Sequence, residues 1–407
     1  MKVLFISQYF YPENFRGNDV VFELIKHGHD VHVICGTPNY PSGSFYKGYG
    51  WFRKSSESLR GARVTRLPII PRKKNSFFLV LNYLSYLINA SIYVLFLSIF
   101  KKYDCVFVQQ LSPVTMSFPG VLYKRIKKVP LYTWVLDLWP ESLIAAGNIN
   151  NKLIIRFFAY FVKLEYKYSD RILISSKSFK KSIIKYGDYS NKTIFFPQWA
   201  EDEIAFPSST KKAPVLPSGF RIVFAGAVGE SQDFEHIMEA CKLTKNKPNI
   251  KWIIIGDGRK FEWVSNFVKK NKLEDTVTLT GRYPIEFMPS FFSQADIMLV
   301  TLKDTEIFRL TAPAKIQAYM SMGKPILTML NGEGRDIIEE ANCGYSVSAE
   351  SPDELSKMVI DLSNTNKEVL RIKGLNGLEY YRKNFEKNEC INNLISILEH
   401  NDFHGYE

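Results

Sequence analysis

Short apolar runs alternate with helical stretches along the whole chain. In the first half, the runs at 2–7, 30–35, 63–67, 105–109, 131–137, 171–175 and 193–196 read as strands, and the pattern between them has the helical period. The first helix spans about 19–26 and is closed by Gly28, a residue suited to the left-handed C-cap. The five-residue apolar start is too short for an export signal and reads as the first strand. From Pro197 the texture changes: Pro207, Ser208, Ser209, Thr210, Pro214, Pro217, Ser218 and Gly219 mark a polar linker. The alternation then restarts, with strands expected at 221–225, 252–255, 277–280, 297–302, 326–330 and 345–348. Such alternation implies mostly parallel sheets with helices on both faces. The expected architecture is α/β, with two doubly wound domains facing a cleft. The first covers 1–197 plus a C-terminal helix of about 386–407, the linker covers 198–217, and the second domain covers 218–385. Ligands are expected outside the carboxyl ends of the strands.

The run 77–100 carries no charge over 24 residues and is flanked by Arg72, Lys73 and Lys74 and by Lys101 and Lys102. Its length would allow it to span a bilayer. Its Asn and Ser content, the basic residues at both ends and the strands on either side argue against a span. Two readings stay open: a long buried helix of the first domain, or a helix lying in a membrane interface.

Composition narrows the class. The chain has 407 residues, 46% hydrophobic and 23% charged, which is globular and too long for one core. Its five cysteines (35, 105, 241, 343 and 390) form no close pair, so neither a zinc site nor a disulfide framework is expected, and a reducing cytoplasm fits. The net charge of +12 is uneven. Residues 1–200 hold 28 Lys and Arg against 11 Asp and Glu, a net of +17, whereas the remainder is −5. Nucleic acid, an anionic membrane surface or a phosphorylated substrate would each account for a basic half. No recognised nucleic-acid motif accompanies the charge, and no nucleic-acid partner is expected.

Candidate chemistry gathers at expected strand ends. The 9–19 loop holds Gly17 and Asn18, where close backbone approach and helix-start amides would suit an anion; it is neither a Walker loop nor a dinucleotide fingerprint. After the strand at 131–137, Asp137 and Glu141 could accept hydroxyl hydrogen bonds and Trp139 could offer a flat face to a sugar; an N-capping Asp with a buried Trp is the plainer alternative. In the second half three glycine loops follow successive strands and outline a nucleotide-sized crevice. They are Gly226 to Gln232 (with Gly229 and Glu230), Gly256-Asp257-Gly258, and Gly281-Arg282-Tyr283. Finally, Thr311-Ala312-Pro313 opens a helix with Pro313 at its first position and Lys315 in its first turn, an arrangement that could hold a diphosphate; a surface lysine on an ordinary helix is the plainer alternative.

Taken together, Tyr11-Pro12-Glu13-Asn14, Gly28-His29-Asp30-Val31, Pro38-Asn39-Tyr40-Pro41, 137–142, 224–232, Gly256-Asp257-Gly258 and 313–325 resemble glycosyltransferase family 4 over nearly the whole chain. Within the family they resemble bacterial transferases assigned to N-acetyl-L-fucosamine transfer in O-antigen and capsule assembly. The resemblance implies two Rossmann-like domains (GT-B type) and a nucleotide-diphosphate sugar, UDP-linked, as co-substrate, with no cofactor and no metal. It implies a polyprenyl-diphosphate-linked saccharide as acceptor and a peripheral position on the cytoplasmic face of the plasma membrane. Asp137, Lys315 and Arg282 are then the catalytic candidates. Gly226, Gly229, Glu230, Gln232, Gly256, Asp257, Gly258, Gly281, Tyr283, Thr311, Ala312 and Pro313 would bind the donor, and Gly17, Asn18, Trp139 and Glu141 would form the diphosphate and acceptor loop. One departure stands out: Leu310 and Ala318 occupy the positions where much of the family has two glutamates. A sugar-nucleotide 2-epimerase of similar architecture is the alternative.

Overall fold

A computed structural model describes residues 1–73, 76–147, 151–207 and 211–400. The chain divides into two compact units, Met1–Phe196 with the segment from Ile391 onward, and Pro197–Cys390. Of the expected linker, Ser208 to Thr210 lie outside the described residues, as do 401–407 of the expected terminal helix. Residues 211–217 are strapped onto the second unit: Ala213 N donates to Ser290 Oγ and Leu216 N to Gln294 Oε1, both at 2.9 Å.

The first unit holds an eight-stranded sheet of β1 (Lys2–Ile6), β2 (Asp30–Gly36), β3 (Ser56–Leu59), β4 (Ala62–Leu67), β5 (Cys105–Gln110), β6 (Leu131–Val135), β7 (Arg171–Ile174) and β8 (Thr193–Phe195). Its order is β3-β4-β2-β1-β5-β6-β7-β8, parallel except for the β3–β4 hairpin. The hairpin's absence from the sequence reading has a physical cause. β3 is only half-covered, so it lacks an apolar run, and its turn uses Arg60 and Gly61, both at positive φ. The hairpin brings Glu57 to the buried Arg66, which also donates to the Tyr11 carbonyl at 2.7 Å. Helix α1 (Arg16–Lys26) starts three residues before its expected onset and ends at Gly28, which has φ +83°.

Helix α2 (Ser76–Phe100) overturns the buried-helix reading. Tyr86, Ala90, Val94 and Leu97 join the core, while Val80, Leu84, Ile88, Ile92, Phe96 and Ile99 are exposed on the other side. Polar residues within the run serve as tethers. Asn82 Nδ2 donates to the Ile70 carbonyl, Asn89 Nδ2 to Pro68 O, and Ser85 Oγ accepts from Ile70 N. The flanking strands β4 and β5 share one sheet, so α2 does not cross a bilayer. Next to α2 packs α3 (Phe118–Lys127); α4 (Glu141–Gly147) and α5 (Lys152–Tyr168) follow β6.

The second unit carries β9 (Phe220–Ala225), β10 (Ile250–Ile255), β11 (Val277–Gly281), β12 (Ile297–Thr301), β13 (Ile326–Met329) and β14 (Gly344–Val347) in the order β11-β10-β9-β12-β13-β14, all parallel. Strand direction of travel reverses between β9 and β12, and between β1 and β5 in the first unit. At such points the loops at the carboxyl ends diverge and leave a crevice. Helices α6 (Phe234–Leu243), α7 (Phe261–Lys270), α8 (Glu306–Leu310) and α9 (Ala314–Ser321) follow β9, β10 and β12.

The packing of α2 yields a paired expectation. Val94→Ala should cost about 1–2.5 kcal/mol of urea-measured stability, the loss of buried methyl groups plus a small cavity. Ile92→Ser, on the exposed side, should stay within about 0.5 kcal/mol. Reversed costs would mean that the helix docks through its other face.

Candidate functional site

The second unit's candidates converge on the loop after β9. Gly226 (φ +140°) leaves space that Lys315 fills: a Cβ there would stand 2.7 Å from Lys315 Cε. The loops after β9 and β10 interlock through glycine. A Cβ on Gly256 would meet the Gly226 carbonyl oxygen at 1.9 Å, and one on Gly258 the Val228 carbonyl oxygen at 2.3 Å. Gly226 N donates to Ile255 O, Val228 N to Asp257 O, and Gly256 N to Gly281 O, all within 3.0 Å. Asp257 also accepts from Gly258 N. These glycines are thus required by backbone contact between loops, while Gly229 faces open space.

Lys315 sits in the first turn of α9, with its ammonium 3.8 Å from the centre of the Phe224 ring and donating to Gln232 Oε1. Enclosure in apolar surroundings pulls its pKa down to about 7. Pro313 is the cap of α9 and Ala314 its first residue, one place later than expected. Ala312 is buried, and Thr311 Oγ1 donates to the Ile307 carbonyl. Glu230 is ion-paired with Lys260 and Lys303 at 3.3 and 3.7 Å, and the same two lysines meet Glu235. Arg282 is exposed at the end of the edge strand β11, separated from Gly226 by the Gly256 loop. Tyr283 packs edge-on against Phe287 and Phe291.

In the first unit Asp137 lies two residues beyond β6. Its carboxylate accepts from Ser112 Oγ, Ser142 Oγ and Trp139 Nε1, the last at 3.2 Å. Burial raises its pKa, and the three hydrogen bonds oppose that shift. Trp139 corrects the sequence reading. It is buried against Phe158 and its indole N–H is spent on Asp137 and Ser112, so it offers no open face. Glu141 accepts from Ser182 Oγ at 2.6 Å. Gly17 is packed rather than open, since a Cβ would meet Gln109 Oε1 at 2.1 Å. Asn18 braces its own loop, accepting from Tyr11 N and donating to Glu13 O.

Sequence reasoning did not single out Ser112, Lys260, Lys303 or the Phe224 ring. Lys303 lies two residues beyond β12, a strand-end position that could have flagged it. Among the described residues, no three His, Cys, Asp or Glu side chains gather as a metal ion would require.

Residues 219–365 match the family of glycosyl transferases group 1. An uncharacterized glycosyltransferase of Methanocaldococcus jannaschii is 24% identical over 78% of this chain and 81% of its own. WcaI of Escherichia coli, assigned as a colanic acid biosynthesis glycosyl transferase, is 25% identical over 71% of this chain and 72% of its own. Among solved structures, Anabaena HepE in complex with UDP and glucose superposes with a TM-score of 0.69 at 13% identity, covering 98% of this chain and 100% of that one. A sucrose-phosphate synthase of Thermosynechococcus elongatus gives 0.70 at 14%, covering 97% and 98%. The fold is of GT-B type, two Rossmann-like domains.

The low pKa of Lys315 gives a signed expectation. An anionic diphosphate favours the ammonium, which the free protein loses above about pH 7. Nucleoside diphosphate affinity should therefore fall from pH 7 to 9 by up to about tenfold per unit, a range in which the phosphate's own charge is constant. Lys315→Ala should weaken binding at pH 7 by roughly ten- to hundredfold and flatten the profile. Titration calorimetry across pH reads both.

Proposed function

The chain is a glycosyltransferase of GT-B architecture, and we propose that it moves a sugar from a nucleoside diphosphate to a lipid-linked saccharide at a membrane surface. The observation that carries the donor half is the Lys315 ammonium held over Gly226 at the carboxyl end of β9. As the glycosidic bond breaks, negative charge grows on the departing diphosphate. A fixed ammonium beside the first-turn amides of α9 opposes that charge without the cost of reorganising solvent. Arg282, beyond the edge strand β11 and across the Gly256 loop, is left out of this assignment. Gly226, Gly229, Gln232, Gly256 and Gly258 would line the nucleotide, with Thr311 to Pro313 against the sugar. A UDP-linked donor is supported by the UDP complex of the similarly folded HepE. Surface-polysaccharide assembly is supported by the likeness to WcaI. Within that frame the donor sugar proposed is N-acetyl-L-fucosamine or a related deoxy sugar, a choice supported by the family resemblance of 313–325.

Asp137, held by three donors, is the carboxylate assigned to the acceptor hydroxyl. The membrane half rests on α2. Its exposed apolar side, the exposed Leu153, Phe157 and Tyr160 of α5 and the +17 charge of residues 1–200 suit an anionic leaflet approached from the cytoplasmic side.

Four outcomes are expected of the purified protein and its variant. Supplied with a panel of nucleotide sugars and a polyprenyl-diphosphate saccharide, it should form product from one donor. With donor alone it should leave the sugar's stereochemistry unchanged, whereas an epimerase would alter it. Asp137→Asn should cut turnover while nucleoside diphosphate affinity holds. The protein should sediment with anionic vesicles and be released by salt; indifference to both lipid charge and salt would overturn the membrane half.

A further inference from the structure

One cluster in the first unit has no part in the chemistry above. Tyr9, Phe15 and Tyr40, from the loops after β1 and β2, form a three-ring group with centroids 5.0, 5.4 and 5.8 Å apart. Arg72, from the segment after β4, lies 5.0 Å over the Tyr40 ring. Among the described residues, no carboxylate is within ion-pair distance of its guanidinium. Tyr83 of α2 hydrogen-bonds to Tyr9, and both phenols feel the Arg72 charge. Tyr83 also feels Asp137, so the cluster and the Asp137 carboxylate are neighbours at the same strand ends.

The backbone that carries Arg72 is rigidly held. Arg72 N donates to Asn39 Oδ1, whose own backbone N–H donates to Glu13 Oε1, and Ile70 is clasped on both sides by Asn82 and Ser85. Gly43 (φ +76°) lets the 39–43 loop close against this segment, for a Cβ there would stand 2.3 Å from Arg72 O. A half-buried arginine held in place, stacked on an aromatic ring and flanked by two phenols, suits a phosphate group. The donor's diphosphate is already assigned to Lys315 in the other unit. Arg72 shares its unit and, through Tyr83, its neighbourhood with Asp137, the carboxylate assigned to the acceptor hydroxyl, so the phosphate that suits it is the acceptor's, and the adjacent Tyr40 and Phe15 rings suit a sugar attached to it. From the same end of the sheet α2 leads away, exposing Val80, Leu84, Ile88, Ile92, Phe96 and Ile99 along one side. At 1.5 Å per residue that stripe is about 29 Å long, a track for an extended hydrocarbon chain.

We propose that Arg72, with Tyr83 and the Tyr40 ring, binds the phosphate of the acceptor next to its sugar, and that the acceptor's polyprenyl chain lies along the exposed stripe of α2. This rests on the reading of a lipid-linked acceptor and names the group that recognises it.

The test uses the full chain, one donor and two acceptors: the polyprenyl-diphosphate saccharide and the same saccharide as a phosphate-free alkyl glycoside. Arg72→Ala should raise KM for the diphosphate acceptor roughly ten- to hundredfold, the loss of a charge-assisted hydrogen bond. KM for the alkyl glycoside should move less than about threefold on the same scale. Arg72→Lys should recover part of the loss, because a point charge replaces the planar fork. Nucleoside diphosphate affinity and sedimentation with anionic vesicles should match the unsubstituted protein. Equal loss with both acceptors would make Arg72 a merely structural residue and overturn the site, as would an unchanged KM ratio. Parallel loss of vesicle binding would reassign Arg72 to bulk anionic lipid. An unsubstituted protein that binds donor and glycosylates only the alkyl glycoside would overturn the lipid-linked reading itself, and the site with it.

Discussion

A lysine ammonium packed against an aromatic ring at a strand end needs the neighbouring backbone to leave it room. In the second unit that constraint runs through Gly226, whose missing Cβ is the space in which Lys315 reaches Phe224. Gly226 is in turn held by the close approach of Gly256, and Val228 by Gly258, so three strand-end loops are locked around one cation. The ring offsets part of the cost of enclosing the charge, by about 0.5–2 kcal/mol. The remaining cost appears as a lysine that holds its proton only weakly. Among the described residues, its polar side-chain partner is the neutral Gln232 amide rather than a carboxylate.

The first unit solves a related problem by the opposite means. There the strand-end loops are long and polar, and buried side chains rather than glycines hold them. Arg66 carries the Tyr11 carbonyl and is neutralised by Glu57 from the edge hairpin. Glu13, buried and shifted by desolvation to a pKa of about 7, accepts from the amides of Asn39 and Tyr40. Asp137 is caged by two serines and an indole. The loops of this unit are therefore shaped by a network whose members come from distant parts of the chain.

That difference explains what could be read in the sequence. Every expected strand exists within a residue or two, because parallel strands covered on both faces are continuous apolar runs. The glycine loops were legible for the same reason, since each follows a strand directly, whereas Lys315 was legible from the helix start that Pro313 marks. The β3 hairpin was not legible, because a half-covered edge strand carries no apolar signature. Trp139 was misread as a sugar platform, because the Ser112 and Phe158 that enclose it lie 27 and 19 residues away in the chain. Arg72 lay in plain sight as a flanking charge of the apolar run. Only the folded loops reveal that it is stacked on Tyr40.

The tethers of α2 have a mechanical consequence. Asn82, Ser85 and Asn89 clamp the helix to residues 68–70, the same short segment that leads to Arg72. A helix held in this way stays docked on the sheet, so its exposed apolar side and the segment that carries Arg72 move as one piece.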